Sequence, residues 1–308
     1  MSANPLRGSD AFLQQARRNN WQRYLESLDA KPGLHAPRGW DLCVLTASDR
    51  NQAEMMRRQL DWRRGQGLLP AATRFHVIAD PGGRRIGSGG ATLRILAALS
   101  QPAERLAELD PGSDLLGLAE AATDRQRALI IHSGGDSRRL PHCSAVGKLF
   151  ARIPHLLPDG RASTIFDEML INLSGIAAAA PPGALVVSGD VMLVFDHLQL
   201  SFHRHGVTGV AIAAPAELGL RHGVYVASPG SKNVAAFLHK ASRQELERWG
   251  AIDAAETVPI DTGLAWFDAS TAAKFASLLA EPAVRDLAAG QAVGAAGINL
   301  YGDLLLPL

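Results

Sequence analysis

The chain has 308 residues, 47% of them hydrophobic and 20% charged, which is ordinary for a globular protein of one large domain or two small ones. Its 31 basic and 30 acidic side chains give a net charge of +1 and are mixed along the chain, so no basic stripe marks a nucleic-acid surface. The two cysteines, Cys43 and Cys143, fit neither a metal-ligand spacing nor a disulfide framework, and a reducing cytoplasm is the expected compartment.

The ends and the most apolar stretch of the chain argue against secretion and membrane insertion. The first 24 residues lack the apolar core of a secretory signal. The apolar stretch 173–195 is interrupted by Pro181, Pro182, two glycines and Asp190, so it cannot cross a bilayer as one helix. We therefore expect a soluble protein with no membrane partner.

The first part of the chain alternates between helix-like and strand-like segments. In chain order we predict a leading helix at 9–28, a strand at 41–48 (DLCVLTAS), a helix at 50–64, a strand at 74–80 (RFHVIAD), a glycine-rich turn at 87–92 that leads into a helix, and a polar helical stretch at 102–126.

The same alternation continues beyond residue 126. We predict a strand at 128–132 (ALIIH), a helix at 164–177, and strands at 184–190 (ALVVSGD), 207–215, 223–228, 233–240 and 264–267. Repeated strand–loop–helix units indicate an α/β fold, with a mostly parallel mixed sheet flanked by helices. We interpret residues 1–308 as a single domain with a helical leader at 1–37, although the length also permits a split near residue 122.

A glycine-rich loop, SGGDSRRL, directly follows the strand ALIIH at residues 133–140. Its adjacent glycines allow close backbone approach to phosphate oxygens, and the planar guanidinium of Arg139 can reach the same anion. Lys148 can add a further positive charge. In isolation the loop is equally well explained as a turn with solvated arginines, and it is not a Walker loop, because His142 and Leu149 replace the glycine and the hydroxyl residue of that motif.

Two aspartates are candidate ligands for Mg²⁺. Asp190 ends the strand-like run ALVVSGD, and Asp303 interrupts the apolar run LYGDLLLPL, where a carboxylate needs a partner. The alternative for Asp190 is that it caps a turn. The apolar ending of the chain indicates either that a last helix docks into the core or that a further domain follows.

Three other segments carry weaker signals. Lys240 closes the strand-like run NVAAFLHK and can neutralise a sugar phosphate, although a lone lysine there is usually just solvated. The motif Asp261-Thr262-Gly263, with Thr262 and Gly263 as the candidate sugar ligands, can bind sugar hydroxyls or simply form a turn. The segment Gly87–Thr92 has the glycines of an anion-binding helix start, but it fails as a dinucleotide motif and is also explained as a structural turn.

Taken in order, these segments resemble the L-fucose-1-phosphate guanylyltransferase family of sugar nucleotidyltransferases. The resemblance rests on WDLCVLTAS, DPGGRRIGSGGATL, LIIHSGGDSRRLPHCSAVGKLF, FLHKAS and NLYGDLL, and it spans roughly residues 38–307. Ser137 and Arg138 depart from the Gly and Thr of common superfamily members, and Ala241 departs from the usual proline. The resemblance implies a nucleotide-diphospho-sugar transferase fold, GT-A-like and Rossmann-like, and further β-helix or kinase domains beyond residue 308.

The resemblance also implies a reaction, in which a sugar-1-phosphate oxygen attacks the α-phosphorus of GTP and pyrophosphate leaves. Such a reaction requires positioning and charge neutralisation rather than covalent catalysis. The implied roles are catalysis by Arg139, Lys148 and Lys240; nucleotide binding by Gly87, Gly89, Gly90, Ser133, Gly134, Gly135, Asp136 and Ser137; sugar binding by Thr262 and Gly263; and Mg²⁺ binding by Asp190 and Asp303.

Three other functions stay open at this point. The first is a catalytically silent module that binds a nucleotide sugar and regulates a fused or partner sugar kinase. The second is a sugar kinase, since GSGGAT superficially resembles a phosphate loop. The third is a purely structural domain. The retention of Arg139, Lys148 and Asp190 favours the transferase, because a binding module does not need charges at the leaving group.

Overall fold

A computed structural model describes residues 5–30, 39–104, 106, 114–123, 125–133, 140–197, 200–202, 205–231, 233–292 and 297–305, and for residues 5–10 it describes only the backbone. The helices are α1 (Pro5–Leu28), α2 (Arg50–Gly65), α3 (Gly87–Ser100), α4 (Leu115–Ala121), α5 (Ile165–Leu173), α6 (Ile176–Ala179), α7 (Ala216–Gly219), α8 (Arg243–Arg248), α9 (Ala269–Ser277) and α10 (Pro282–Ala288). The strands are β1 (Leu42–Ala47), β2 (Arg74–Ala79), β3 (Arg127–His132), β4 (Arg152–Leu156), β5 (Ala162–Thr164), β6 (Gly183–Ser188), β7 (Val207–Pro215), β8 (Gly223–Ala227), β9 (Val234–His239) and β10 (Thr257–Asp268).

The centre of the fold is a mixed sheet of eight strands in the order β2-β1-β3-β6-β10-β8-β9, with β7 also paired to β10. The strands β2, β1, β3 and β6 are parallel, and the β10, β7, β8 and β9 pairings are antiparallel. This arrangement confirms the predicted mixed α/β sheet flanked by helices. Because parallel strands point the same way, the segments that follow β1, β2, β3 and β6 all emerge at one edge of the sheet, called here the carboxyl edge.

The central strands alternate between two apolar layers, as the period of a strand requires. On one face, Leu45, Ile131 and Trp266 pack under α2 and α5, together with Tyr24 of α1. On the other face, a second set of strand side chains packs under α3 and α9; its members include Val44, Ile130, Val186, Ala265 and Phe267. The sheet is therefore covered on both sides, which is why its central strands read as continuous apolar runs.

Several element boundaries differ from the sequence prediction. The helix expected at 164–177 is instead two helices, separated at Ser174 and Gly175. A Cβ on Gly175 would lie 2.4 Å from His197 Cγ, so glycine at this position allows the ring of His197 to pack against the chain. The glycines at 87–90 lie inside the first turn of α3 rather than in a turn before it. The strand predicted at 264–267 is the end of the longer β10, which begins at Thr257.

The stretch from 102 to 126 is only partly described, and α4 is its longest described helix. The hairpin β4–β5 is an element that the sequence prediction missed. The proposed single-domain organisation and the split near residue 122 both stay predictions.

Candidate functional site

The end of β3 forms the middle of the carboxyl edge. Ser133 is buried, and its hydroxyl donates to the carbonyl of Thr46 at the end of β1, at 2.6 Å. The N–H of Gly189 donates to the carbonyl of His132, and a Cβ on Gly189 would lie 3.1 Å from Ser133 Cα. Glycine at 189 thus allows the segment after β6 to cross directly over the start of the loop after β3.

The loop after β3 is described only at its two ends. Gly134, Gly135, Asp136, Ser137 and Arg139, which were predicted to bind nucleotide or to stabilise phosphoryl charge, lie outside the described residues. Their predicted roles therefore stay predictions.

Lys148 lies near the start of that loop because the chain turns back sharply before it. Gly147 has φ +81°, and a Cβ there would lie 2.9 Å from Met56 Cε and 3.2 Å from the carbonyl of Ser133. A side chain at 147 would be strained by the positive φ and would crowd the carbonyl of Ser133. Lys148 therefore projects from a tightly packed turn at the carboxyl edge, next to the buried Leu149.

The ammonium of Lys148 lies 3.8 Å from Asp190 Oδ2, and 33% and 57% of the two side chains are exposed. The other oxygen, Asp190 Oδ1, accepts a hydrogen bond from the Ser188 hydroxyl at 2.7 Å. Both charges are open to solvent, so a surface-type pair of this kind contributes little to stability and can be opened by a ligand. The structure thus brings together two predicted site residues, Lys148 and Asp190.

The predicted sugar-binding residues lie beside the same position. Gly263 has φ +77°, and a Cβ on it would lie 3.3 Å from Ser188 Cβ. The Thr262 hydroxyl, however, donates to the carbonyl of Val210 at 2.6 Å, so this side chain already has a partner within the sheet. Gly263 is therefore the member of the pair that borders the Asp190 segment.

Lys240 is exposed and lies on the antiparallel side of the sheet. Its backbone N–H donates to the carbonyl of His222, just before β8, and β8 pairs with β10 through Val224 and Ile260. One strand therefore separates Lys240 from β10, a distance of about 10 Å at the usual strand spacing. The role of Lys240 in holding a sugar phosphate stays a prediction.

The glycines of α3 have a packing role that the structure shows directly. Gly89 N–H donates to the carbonyl of Ile298 at 2.8 Å, and the Ile298 N–H donates to the carbonyl of Ile86 at 2.9 Å. A Cβ on Gly87 or Gly89 would lie 2.3 Å or 2.9 Å from the Ile298 carbonyl oxygen. These glycines allow the segment 297–299 to lie against α3, and a role for Gly87, Gly89 and Gly90 in nucleotide binding stays a prediction.

Asp303, the second predicted metal ligand, is exposed within the short π-helical turn Leu300–Leu305. Its Oδ2 accepts the N–H of Asn299 at 2.7 Å, which fixes the carboxylate against its own segment. No hydrogen bond or ion pair among the described residues joins Asp303 to Asp190. Their pairing around one ion stays a prediction.

The carboxylates of Asp190 and Asp303 are hard oxygen donors, which suit Mg²⁺ better than a softer metal, and their binding of Mg²⁺ stays a prediction. Within the described residues there is no cluster of three or more His, Cys, Asp or Glu side chains that could hold a metal ion. Asp190 and Asp303 are both exposed carboxylates, and the hydroxyl of Ser188 lies beside the first. Magnesium commonly uses one or two carboxylates and keeps several waters, which such a sparse set of oxygen ligands allows.

His132 is a residue that the sequence analysis did not single out. Its Nε2 lies 2.8 Å from the Thr92 hydroxyl, and its Nδ1 lies 3.5 Å from the Thr46 hydroxyl. Burial lowers the pKa of His132 to about 4 from its ordinary 6.5, so the ring is neutral at physiological pH. It therefore joins β1, β3 and α3 beneath the loop by hydrogen bonds without adding charge. The strand-ending position of this histidine was the available sequence signal.

Two tyrosines that the sequence analysis did not connect with Asp261 hydrogen-bond to its carboxylate. Tyr225 Oη donates to Asp261 Oδ1 at 2.8 Å, and the hydroxyl of Tyr301 and the N–H of Gly263 also hydrogen-bond to this carboxylate. Burial is the largest influence and raises the pKa of Asp261, and the three donors oppose that effect. Only the motif Asp261-Thr262-Gly263 was visible in the sequence, because the two tyrosines lie far from it along the chain.

The chain is therefore an α/β protein with Lys148 and Asp190 at the carboxyl edge of its sheet, next to turns that contain Gly147 and Gly263. In open α/β sheets, ligands bind at this edge. The family model described as the fucose pyrophosphorylase domain matches residues 121–308. The chain belongs to this family, which confirms the resemblance inferred from the sequence motifs.

The relatives extend the similarity to most of the chain. The bifunctional fucokinase/GDP-fucose pyrophosphorylase of Arabidopsis thaliana is 30% identical over 281 residues, which cover 84% of this chain and 26% of the relative. The fucose-1-phosphate guanylyltransferases of Mus musculus and Homo sapiens are 29% and 30% identical and cover 79% and 75% of this chain. This chain spans 26%, 40% and 37% of the lengths of the three relatives. No solved structure matches the chain.

The described helices include none that is long and apolar enough to cross a membrane.

Proposed function

We propose that this chain transfers a guanylyl group from GTP to L-fucose 1-phosphate, forming GDP-L-fucose and pyrophosphate. The observation that carries the proposal is the meeting of Lys148, Asp190 and Gly263 at the carboxyl edge, beside the start of the glycine-rich loop. The names of the relatives supply the base and the sugar. A cytoplasmic location and a fused kinase or β-helix domain in a longer protein are parts of the same proposal.

The residues of this chain would neutralise the charge of the phosphates and hold the two substrates in position for the reaction. An oxygen of the sugar 1-phosphate attacks the α-phosphorus of GTP, and the bond to the pyrophosphate oxygen breaks. Lys148 and Arg139 would neutralise the charge that develops on the phosphoryl group and the leaving pyrophosphate, and Lys240 would hold the sugar phosphate. The backbone of Gly134 and Gly135 would bind the triphosphate. Mg²⁺, held by Asp190 and Asp303, would supply further neutralisation of the phosphates when bound.

The paired state of Lys148 and Asp190 supports this assignment. The Lys148 ammonium and the Asp190 carboxylate are neighbours at 3.8 Å. Binding of a metal to Asp190 and of phosphate to Lys148 would replace one weak ion pair by two stronger interactions. Both side chains are exposed enough to make this exchange without unfolding the surrounding turn.

The first experiment is a panel of nucleoside triphosphates against sugar 1-phosphates, with pyrophosphate release as the readout. Release with GTP and fucose 1-phosphate is the expected result. A catalytically silent binding module would bind the nucleotide sugar without release, and a kinase would instead form nucleoside diphosphate.

Site variants test the individual roles. Lys148→Met and Arg139→Ala should each lower kcat roughly a hundredfold or more, as expected for loss of a charge that stabilises the transition state. Lys274→Met, which removes an exposed lysine on α9, is the matched control and should leave turnover unchanged. Asp190→Asn should weaken the dependence on Mg²⁺, and an unchanged metal titration would remove Asp190 from the site.

A further inference from the structure

An aromatic and acidic cluster lies on the antiparallel side of the sheet, and no function assigned above uses it. It consists of Tyr225 on β8, Phe237 on β9, Asp261 on β10 and Tyr301 in the segment 297–305. The ring of Phe237 lies 5.1 Å from that of Tyr225 and 5.8 Å from that of Tyr301, stacked on the latter. Both tyrosine hydroxyls point to the single carboxylate of Asp261.

Two glycines make room for this cluster. A Cβ on Gly209 of β7 would lie 2.5 Å from Tyr225 Oη, and a Cβ on Gly223 would lie 2.3 Å from the ring of Phe237. Neither distance can be tolerated by a real side chain. Glycine at both positions therefore allows the Tyr225 hydroxyl and the Phe237 ring to lie directly against the strands.

The cluster is joined directly to the predicted sugar-binding turn. Asp261 accepts the N–H of Gly263, and the pairing of β10 with β7 shifts register between Asp261 and Leu264. At this irregularity Gly263 takes φ +77° and borders Ser188, two residues before Asp190. The carboxylate therefore fixes the local backbone shape of the turn that faces the proposed phosphate site.

A role in stability alone does not explain an acid at this position. A half-buried carboxylate costs free energy unless donors satisfy it, and an apolar side chain of similar volume often serves a purely structural position as well or better. Here two tyrosine hydroxyls and one backbone N–H converge on the acid. Such convergence orients a group very specifically.

We propose that Asp261, Tyr225 and Tyr301 form a positioning network that holds Thr262 and Gly263 in the shape that receives the sugar ring of the sugar 1-phosphate. The inference rests on the proposed function. None of the three is assigned contact with the reacting atoms. Their effect should therefore appear in the binding of the sugar phosphate and leave the binding of GTP unchanged.

The chain has three tyrosines, and this provides a matched control. Tyr225→Phe and Tyr301→Phe each remove one hydroxyl from Asp261 and keep the ring. Tyr24→Phe removes a hydroxyl that donates to the carbonyl of Leu68 at 2.7 Å, beneath the opposite face of the sheet.

Each single variant of the network should raise KM for fucose 1-phosphate roughly threefold to tenfold, and the double variant more, at constant KM for GTP. Tyr24→Phe should change thermal stability alone. If all three variants lower stability equally and none changes KM for the sugar phosphate, the network is structural and the proposal is wrong.

Two substitutions of Asp261 separate positioning from direct contact. Asp261→Asn keeps polar partners for both tyrosines and should retain most of the affinity for the sugar phosphate, whereas Asp261→Leu should lose it. Equal losses in both variants would mean that the charge itself contacts the sugar, which would overturn the positioning role. Direct calorimetric binding of fucose 1-phosphate to each variant gives the same comparison without turnover.

A wild-type chain that releases no pyrophosphate would refute the proposed function, whereas active variants with unchanged KM would refute only this inference.

Discussion

Substitution of Gly89 by alanine tests the contact between α3 and the segment 297–299. The added Cβ would lie 2.7 Å from Ile298 Cγ2 and 2.9 Å from the Ile298 carbonyl oxygen, about 1 Å closer than a normal carbon contact. The helix and the segment must then separate, which breaks the 2.8 Å hydrogen bond from Gly89 N–H to Ile298. Overpacking costs about 1–3 kcal/mol and the broken bond about 1 kcal/mol, and the gain of about 1 kcal/mol in helix propensity offsets only part of this.

Gly117→Ala in α4 is the matched control, because a Cβ at Gly117 meets no atom within 4 Å. It should raise the free energy of unfolding by about 0.5–1 kcal/mol, so the two alanine variants should shift the urea midpoint in opposite directions. If instead Gly89→Ala is as stable as Gly117→Ala and only its KM for GTP rises, the glycine serves the nucleotide and the packing explanation is wrong.

Three other changes follow from buried groups. Burial in the native state lowers the pKa of His132 from its ordinary 6.5 to about 4. Between these two pH values the histidine is protonated in the unfolded chain but stays neutral in the folded protein. Stability should therefore fall by up to about 3 kcal/mol as the pH drops from about 6.5 to about 4, and His132→Gln should flatten this part of the pH profile of unfolding. Arg63, 4% exposed and hydrogen-bonded by two nitrogens to Asp167, should cost about 3–5 kcal/mol when replaced by methionine, whereas Arg64→Met at the exposed neighbour should cost under about 1 kcal/mol in the same thermal melts. Burial raises the pKa of Cys43 far above its ordinary range, so the native protein should resist alkylation at this thiol, and rapid modification without unfolding would contradict the packing of β1.

The elements that sequence reasoning found best are those whose signal is local. The strands β1, β3 and β6 are short apolar runs because both faces of the sheet are covered. The start of α2 was also readable, since Asp49 caps it through the N–H of Gln52. Local composition is enough in such cases because the contacts that stabilise the element lie within it or on its two faces.

The features that sequence reasoning missed depend on residues distant in the chain. The ring of His197 lies against Gly175, between α5 and α6, and leaves no room for a side chain there. The helix-like spacing of apolar residues gives no sign of that contact. The motif Asp261-Thr262-Gly263 is explained by sequence alone either as a sugar-binding segment or as a turn, and Tyr225, the partner of Asp261, lies 36 residues away. The position of Lys148 could not be predicted from the sequence, because it depends on the close approach of Gly147 to the carbonyl of Ser133.

The segment 297–305 shows why packing and function cannot be separated in this fold. Its Ile298 and Leu300 are buried among the side chains beneath α3, which explains why an apolar run surrounds the exposed Asp303. Between these positions and Asp303, the hydroxyl of Tyr301 hydrogen-bonds to Asp261. Core packing at Ile298 therefore helps to set where the hydroxyl of Tyr301 lies relative to Asp261. A core substitution there should act on the site through geometry, although neither Ile298 nor Leu300 is assigned contact with substrate.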